Sequence, residues 1–279
     1  MIDQASLALW GRKAPWLDPT YVEQDLVISR ALVDIFNHET LSMNLVFRGG
    51  TALQKLFYEK PTRYSEDIDL VQFKSGSIGP LFDGFREVLD PWLGKPTKEW
   101  GQGPATLLYR FQTSGASPIK MKLKVEINTR EHFSAFNLKT IPFAVDSPWF
   151  RGKTNIITYS IEELLGTKLR ALFQRRKGRD LYDLATALRQ LPLDVEKIMN
   201  CFSSYMDFMG LKVSRAQFEG NLLLKKSSEA FRNDITPLLA IGSEDHNFDR
   251  DFNLVWQEII ARLPGEAWNG LKQELALEI

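Results

Sequence analysis

The change in hydrophobic pattern at mid-chain restricts the fold of this 279-residue sequence more than any other feature. Up to about residue 150, short apolar runs and period-two alternation are interspersed with helical segments, whereas from Ser160 onward apolar residues recur every three or four positions. Period two is typical of strands, and spacings of three and four are typical of helices. The sequence therefore predicts an α/β (α+β) fold, in which a small mixed sheet flanked by helices occupies residues 1–150 and a helical domain occupies residues 151–279.

The first half predicts an amphipathic helix, then a strand, a glycine turn and a second helix, and then further strands. Helices are expected at residues 21–37, 51–58 and 81–93, and strands at 45–47, 67–70, 107–111 and 121–127. Residues 142–148 are expected to lead out of the sheet domain. In the second half, helices are expected at residues 161–175, 180–190, 195–209, 216–223 and 248–263.

Composition and charge exclude several classes of protein. Lys and Arg number 35 and Asp and Glu number 35, so the formal net charge is zero and no overall field attracts DNA or an anionic membrane. No apolar run approaches the roughly 18 residues that a membrane span needs, and the first residues lack the pattern of a signal peptide. The single cysteine, Cys201, excludes an internal disulfide, and the three histidines show no metal-ligand spacing. We expect a soluble, cytoplasmic protein.

The clearest chemical signal is the pair Asp67 and Asp69, which alternates with Ile68 and Leu70. On a strand, residues i and i+2 point to the same side, so the two carboxylates could share divalent ions such as Mg²⁺. Taken alone, such a pair more often belongs to an exposed strand face.

A glycine turn, Gly49-Gly50-Thr51, lies shortly before this pair, between an apolar strand and a helix. Glycines allow close backbone approach, and the N–H groups at a helix start suit a phosphate, although such turns also occur for packing alone. A phosphate-binding turn followed by two carboxylates on one side is the combination that metal-dependent phosphoryl or nucleotidyl transfer needs.

A third carboxylate on a neighbouring strand would complete this arrangement, and Glu126 is the candidate. The alternation places Glu126 on the same face as Lys122 and Lys124, opposite Val125 and Ile127. The alternative is an exposed glutamate paired with those lysines, and the strand pattern does not decide between the two.

A basic segment stands out against the zero total charge. Residues 151–180 hold eight Lys or Arg against three acids. On a helix, Lys168 and Arg175 would share a stripe that could meet phosphates. A solvated basic face is the commoner explanation of such a run, and Asp180 could simply cap the helix that follows Gly178.

An ordered set of motifs resembles the AbiEii/AbiGii-type nucleotidyltransferase toxins, within the polymerase-β-like nucleotidyltransferase superfamily. These motifs are VEQD at 22–25, FRGGTALQK at 47–55, RYSEDIDL at 63–70, EELLGTKLRAL at 162–172 and RRKGRDLYDL at 175–184. The resemblance spans residues 20–190. This family often has lysine where the chain has Gln24 and Arg48, a departure that affects nucleotide or acceptor preference more than the metal-binding acids.

The resemblance implies an NTP as donor substrate and Mg²⁺, or alternatively Mn²⁺, as cofactor. Carried over by position, Gly49, Gly50 and Thr51 would hold the triphosphate with support from Lys55. Ser65 would contact a phosphate or a metal-bound water.

The resemblance also assigns the catalytic residues. Asp67 and Asp69 would bind the metal, and Glu126 would join them as third ligand according to the strand pattern of the superfamily. Lys168 would contact the NTP phosphates, and Arg175 would offset their charge. Asp180 would complete the catalytic set.

Many members of this family are toxins of toxin–antitoxin or phage-defence pairs, and for some of them the acceptor is the 3′ end of tRNA. The resemblance therefore implies a toxin that transfers NMP from an NTP to an RNA such as tRNA, releases pyrophosphate and has a cognate antitoxin. Two alternatives stay open at this point: NMP transfer onto a protein hydroxyl, and RNA binding that is toxic without catalysis.

Overall fold

The computed structural model describes residues 2–99, 104–114, 117–243 and 246–270. The chain forms two compact units, of which the first comprises Met1–Tyr159 with Leu238–Gly242 and the second comprises Ser160–Pro237 with Ser243–Ile279. The division falls after Tyr159, beyond the expected boundary at residue 150, because one more strand of the sheet follows that residue.

The first unit is built on a mixed sheet that has seven strands within the described residues. The strands are β1 (Leu45–Arg48), β2 (Asp67–Gln72), β3 (Thr97–Glu99), β4 (Ala105–Gln112), β5 (Lys120–Asn128), β6 (Lys139–Asp146) and β7 (Arg151–Thr158). Their order across the sheet is β3-β4-β5-β2-β1-β7-β6. The pairs β1–β7 and β2–β5 are parallel and the other neighbours are antiparallel. The predicted mixed α/β class is confirmed.

Helices flank this sheet, and the longest of them, α2, forms much of the core. The helices of the first unit are α1 (Gln4–Trp10), α2 (Pro19–Asn37), α3 (Glu39–Asn44), α4 (Gly49–Leu56) and α5 (Gly79–Leu93). Helix α2 begins at Pro19, where the Asp18 side chain accepts a hydrogen bond from the Thr20 N–H. Most of its apolar side chains are buried, and α2 packs on β7, β6 and β5. Each fully buried Leu or Ile contributes roughly 1.5–3 kcal/mol of hydrophobic stabilisation.

The expectation that residues 142–148 leave the sheet domain is wrong. Residues Lys139–Asp146 form β6, an edge strand that pairs antiparallel with β7 along its whole length. Most side chains of β6 are exposed or half-buried, so the strand lacks a visible apolar alternation. Pro142 lies within it, which an edge strand tolerates because one side has no neighbour to bond. Strand β3 was missed because all three of its residues are exposed.

The second unit is helical, as predicted. Its helices are α6 (Ile161–Gln174), α7 (Gly178–Gln190), α8 (Val195–Phe208), α9 (Arg215–Lys226), α10 (Glu229–Asn233) and α11 (Phe248–Glu258). Ser160 caps the start of α6, and the Lys225 ammonium donates to the Leu172 and Phe173 carbonyls near its end. Within the described residues, no helix combines the length and apolar character that a membrane crossing requires.

Candidate active site

The glycine turn between β1 and α4 is packed directly against an acidic side chain. Gly49 has a φ of +82°, and a Cβ on it would lie 2.0 Å from Oδ2 of Asp69. A Cβ on Gly50 would lie 2.4 Å from Nη2 of Arg63 and 3.0 Å from Oγ of Ser65. Real Cβ atoms do not approach other atoms this closely, so glycine is required at position 49, where φ is also positive, and a side chain at position 50 would displace the ends of the Arg63 and Ser65 side chains.

Thr51 ties the first turn of α4 to the start of β2. Its hydroxyl donates to the Asp67 carbonyl at 2.5 Å and lies 2.9 Å from Oγ of Ser65. Thr51 is only 1% exposed, so its hydroxyl serves these contacts. The glycine turn, Ser65 and the acidic strand are therefore joined in one hydrogen-bonded unit.

The two acids of β2 lie on one face of the sheet, opposite the buried Ile68 and Leu70. In the parallel pairing with β5, Asp67 is the register partner of Lys124 and Asp69 is the register partner of Glu126. Register partners on neighbouring strands point to the same face. The structure thus brings Glu126 next to Asp69, although the two residues are far apart in sequence.

Negative charge is concentrated at this face. Burial raises the pKa of the Asp67 carboxyl to about 7, with a further contribution from repulsion by Asp69 and Glu66. Lys124 opposes this shift only in part. A divalent cation would relieve the repulsion, and two carboxylates on one face supply the hard oxygen ligands that Mg²⁺ prefers. The residues present therefore fit a magnesium ion.

Glu126 is engaged by a lysine. Nζ of Lys124 lies 2.8 Å from Oε1 of Glu126, which is the pairing that the sequence left open as the alternative. In the described ranges, no group of three or more His, Cys, Asp or Glu side chains is arranged to hold a metal ion. Asp67 and Asp69 share the sheet face with Glu126, whose Oε1 is paired with Lys124.

Lys55 takes part in a buried network on α2. Its ammonium donates to Oδ2 of Asp25 at 3.0 Å and to Oγ of Ser29 at 2.9 Å. Asp25 also accepts from Nε1 of Trp10 at 2.8 Å. These contacts fasten α4 to α2 and leave Lys55 only indirectly linked to the glycine turn. Asp25 belongs to the VEQD motif, but its position in sequence did not reveal this partnership.

Two arginines near the glycine turn were not predicted as site residues from the sequence. Arg63 is 2% exposed, lies against Gly50 and donates to the Tyr64 carbonyl at 2.9 Å. Arg48, the register partner of Asp69 on β1, donates to Glu131 at 2.6 Å. Burial disfavours the charge of Arg48, but the Glu131 carboxylate outweighs this and raises its pKa. Both arginines lie in motifs that resemble the toxin family, and this was the sequence feature that could have identified them as site residues.

In the second unit, the predicted residues Lys168, Arg175 and Asp180 form one ionic cluster. Lys168 lies 3.2 Å from Asp180 and 3.0 Å from Asp183, and Arg175 binds both oxygens of Asp180 at 2.7 and 2.8 Å. Burial alone would raise the pKa of Asp180, but the two cations lower it to about 2. Asp180 is not a helix cap, because α7 begins earlier, at Gly178, and Lys177 occupies the N-cap position.

A mixed sheet whose glycine turn and two same-face carboxylates adjoin, followed in sequence by a helical unit, defines a nucleotidyltransferase-like protein. The family profile described as "Nucleotidyl transferase AbiEii toxin, Type IV TA system" matches residues 30–264. The chain therefore belongs to the AbiEii family, and it is a nucleotidyltransferase toxin of the type IV toxin–antitoxin kind. Membership also implies an NTP substrate and an antitoxin partner.

A solved structure with a TM-score above 0.5 supports this fold. MenT4, a nucleotidyltransferase toxin from Mycobacterium tuberculosis H37Rv, is similar with a TM-score of 0.65 and 17% identity, covering 93% of this chain and 90% of that one. An antigenic nucleotidyltransferase-like protein from Paracoccidioides brasiliensis gives a TM-score of 0.39 and 15% identity, covering 81% of this chain and 98% of that one. Comparison with curated proteins gives no match.

Proposed function

We propose that this toxin transfers NMP from an NTP to the 3′ end of an RNA such as tRNA, with Mg²⁺ held by Asp67 and Asp69 and with release of pyrophosphate. The observation that carries the proposal is the contact of the Asp69 carboxylate with Gly49. It supports a metal-binding acid beside a helix start, where backbone N–H groups suit a phosphate.

In the proposed mechanism, the glycine turn binds phosphate oxygens while Thr51 and Ser65 keep the turn beside the acidic strand. When bound, Mg²⁺ would neutralise the triphosphate and acidify the acceptor hydroxyl. The acceptor hydroxyl releases its proton to solvent and its oxygen forms a bond to the α-phosphorus. The bond from that phosphorus to the bridging oxygen breaks, and its electron pair leaves with pyrophosphate. Glu126 would add a third carboxylate if it exchanges Lys124 for the metal.

Lys168 and Arg175 are the proposed contacts for the phosphates of the NTP. Both are held by Asp180, and 49% of the Arg175 side chain is exposed. Before the substrate arrives, Asp180 would keep both cations charged and oriented. On binding, the triphosphate would replace the Asp180 carboxylate as their anionic partner.

An RNA acceptor is supported by a row of exposed cations in the second unit. Arg176 and Lys177 are exposed in the segment between α6 and α7, next to Arg175, which is proposed to contact the NTP. Cations of this kind bind a nucleic-acid backbone through counterion release. NTPs and tRNA are found in the cytoplasm, so we expect the toxin to act there. We expect it to form a pair with its antitoxin that functions in phage defence.

The test is incubation of the protein with Mg²⁺, total cellular RNA and each α-labelled NTP in turn. We expect label in a tRNA-sized band, with a loss of at least about 100-fold in Asp67→Asn and Asp69→Asn. Asp83→Asn is the matched control, because Asp83 is an exposed carboxylate on α5. EDTA should abolish labelling, and Mg²⁺ or Mn²⁺ should restore it.

The competing acceptor gives a different result in the same experiment. Label that resists nuclease and disappears with protease would show transfer to a protein hydroxyl and would overturn the RNA proposal. Labelling of RNA by both Asp67→Asn and Asp69→Asn at the wild-type rate would overturn the assigned metal site.

A further inference from the structure

A cavity of about 430 Å³ lies in the first unit, beside the glycine turn. Five parts of the first unit form its walls: the end of α1 with the segment that follows it, α2, α4, the segment after α4, and β6. The volume is within the range of small-molecule sites. Thr51 and Ser65 line it, so the cavity shares one wall with the residues that precede the metal-binding acids.

The ionic groups around this cavity are mostly cations. The charged lining residues are Arg12, Lys13, Lys55, Lys60 and Arg63, against Asp25 and Glu59. Lys55 and Asp25 pair with each other at 3.0 Å, so they largely cancel. Arg12, Lys13 and Lys60 are exposed. The cavity thus favours an anionic ligand.

Two buried donors belong to residues that line the cavity. In the part of the chain that the structure describes, Nε1 of Trp16 and Nε2 of Gln54 have no hydrogen-bond partner. Trp16 is 5% exposed and Gln54 is 4% exposed. The Gln54 carbonyl oxygen already accepts from the Thr62 N–H at 2.8 Å, which orients the amide. Both donor atoms are covered by protein, so a ligand rich in acceptors would recover the free energy that these unpaired donors cost once the two side chains turn toward the cavity.

Aromatic side chains complete the lining: Trp10, Trp16, Tyr58 and Phe143. Aromatic surface binds a nucleobase, cations bind its phosphate, and amide or indole N–H groups bind the acceptor atoms of the base. We propose that this cavity binds one nucleotide, with the phosphate at Lys13 and Lys60 and the base toward Trp16 and Gln54. The nucleotide is either free or the 3′-terminal residue of the RNA acceptor, and the second source rests on the proposed function.

The test is calorimetric titration in EDTA, which removes the metal needed at Asp67 and Asp69. The ligands are AMP, CMP, GMP and UMP, and an RNA trinucleotide. We expect at least one ligand to bind the wild-type protein, and binding to weaken at least tenfold in Gln54→Glu, Trp16→Phe and Lys60→Glu. Lys95→Glu is the matched control, because Lys95 is exposed in the same unit and does not line the cavity. Thermal melting of each variant verifies that it is folded.

Each outcome has one meaning. Mononucleotides that bind as tightly as the trinucleotide indicate a free nucleotide, and binding of the trinucleotide alone indicates the acceptor end. Absence of binding by every ligand, or equal binding by folded cavity variants and wild type, overturns the proposal. The experiment is independent of transfer: Asp67→Asn should lose NMP transfer and keep this binding, whereas transfer without such binding would leave the proposed function intact and refute the cavity site.

Discussion

The Asp69 carboxylate occupies the space that a side chain on residue 49 would need, since a Cβ on Gly49 would lie 2.0 Å from its Oδ2. Antiparallel pairing of β1 with β2 sets Arg48 opposite Asp69, and the chain turns into α4 at the next residue. The acid and the glycine turn are therefore one packed unit, and a change in either disturbs the other.

Gly49→Ala should abolish NMP transfer, because the new methyl group displaces Asp69. We expect a loss of at least about 100-fold, measured with labelled NTP. The matched control is Gly94→Ala: Gly94 has a similar φ, +78°, with no atom within 4 Å of its Cβ position. Both variants carry backbone strain of about 1 kcal/mol, but Gly94→Ala should keep full activity. Equal activities would contradict the assigned contact.

Asp67→Asn should stabilise the metal-free protein while it abolishes transfer. The folded pKa of Asp67, about 7, lies above its ordinary value of 3.8, so the ionised carboxylate costs stability, and this cost grows as pH rises from about 4 to 7. At pH 8 we expect the variant to unfold with a free energy about 1–2 kcal/mol higher, measured by urea denaturation in EDTA. Mg²⁺ should stabilise the wild type and not the variant. A less stable variant in EDTA would refute this electrostatic account.

Asp180→Asn should destabilise the protein in a pH-dependent way. The folded pKa of Asp180, about 2, is below the ordinary value of 3.8, so its stabilising effect is complete above about pH 4 and is lost as pH falls toward 2. Denaturation at pH 6 should show a loss of roughly 2 kcal/mol, and the difference from wild type should shrink between pH 4 and 2. A constant difference over that range would show that the Lys168 and Arg175 pairings are not its cause.

Lys225 should make the stability rise at alkaline pH. Burial lowers the pKa of its ammonium from 10.5 to about 8, so the unfolded chain binds the proton more tightly than the folded one. The free energy of unfolding should therefore increase from about pH 8 to 10.5 in the wild type. The Lys225→Met variant should not show this increase. Lys226→Met serves as control, because Lys226 is the neighbouring and more exposed lysine. Parallel pH curves for wild type and Lys225→Met would be the contrary result.

Glu126→Gln tests the third carboxylate. If Glu126 leaves Lys124 to join the metal, the variant should need about tenfold more Mg²⁺ for half-maximal transfer, at unchanged stability. Lys122→Gln, on the same strand face, should not alter the Mg²⁺ requirement. An unchanged requirement in Glu126→Gln would leave Glu126 as the surface partner of Lys124.

Local sequence was enough to predict the features that depend on periodicity. The same-face placement of Asp67 and Asp69, the strand and helix around Gly49 and the helical second half follow from spacings of two, three and four residues, because these are properties of a single element. The ordered motifs also predicted membership of the AbiEii family, and the match to the family profile confirms this prediction.

Tertiary structure alone decided which side chains meet across elements. Strand register set Glu126 beside Asp69. The side chain of Lys55 reaches from α4 to Asp25 on α2 and does not contact the glycine turn directly. The sequence pattern likewise did not predict the edge strand β6, because its side chains are mostly exposed and its backbone hydrogen bonds are made with β7. Such contacts depend on how elements that are distant in the chain are placed relative to one another. The sequence therefore determined which chemical groups are available, and the fold determined which of these groups contact each other.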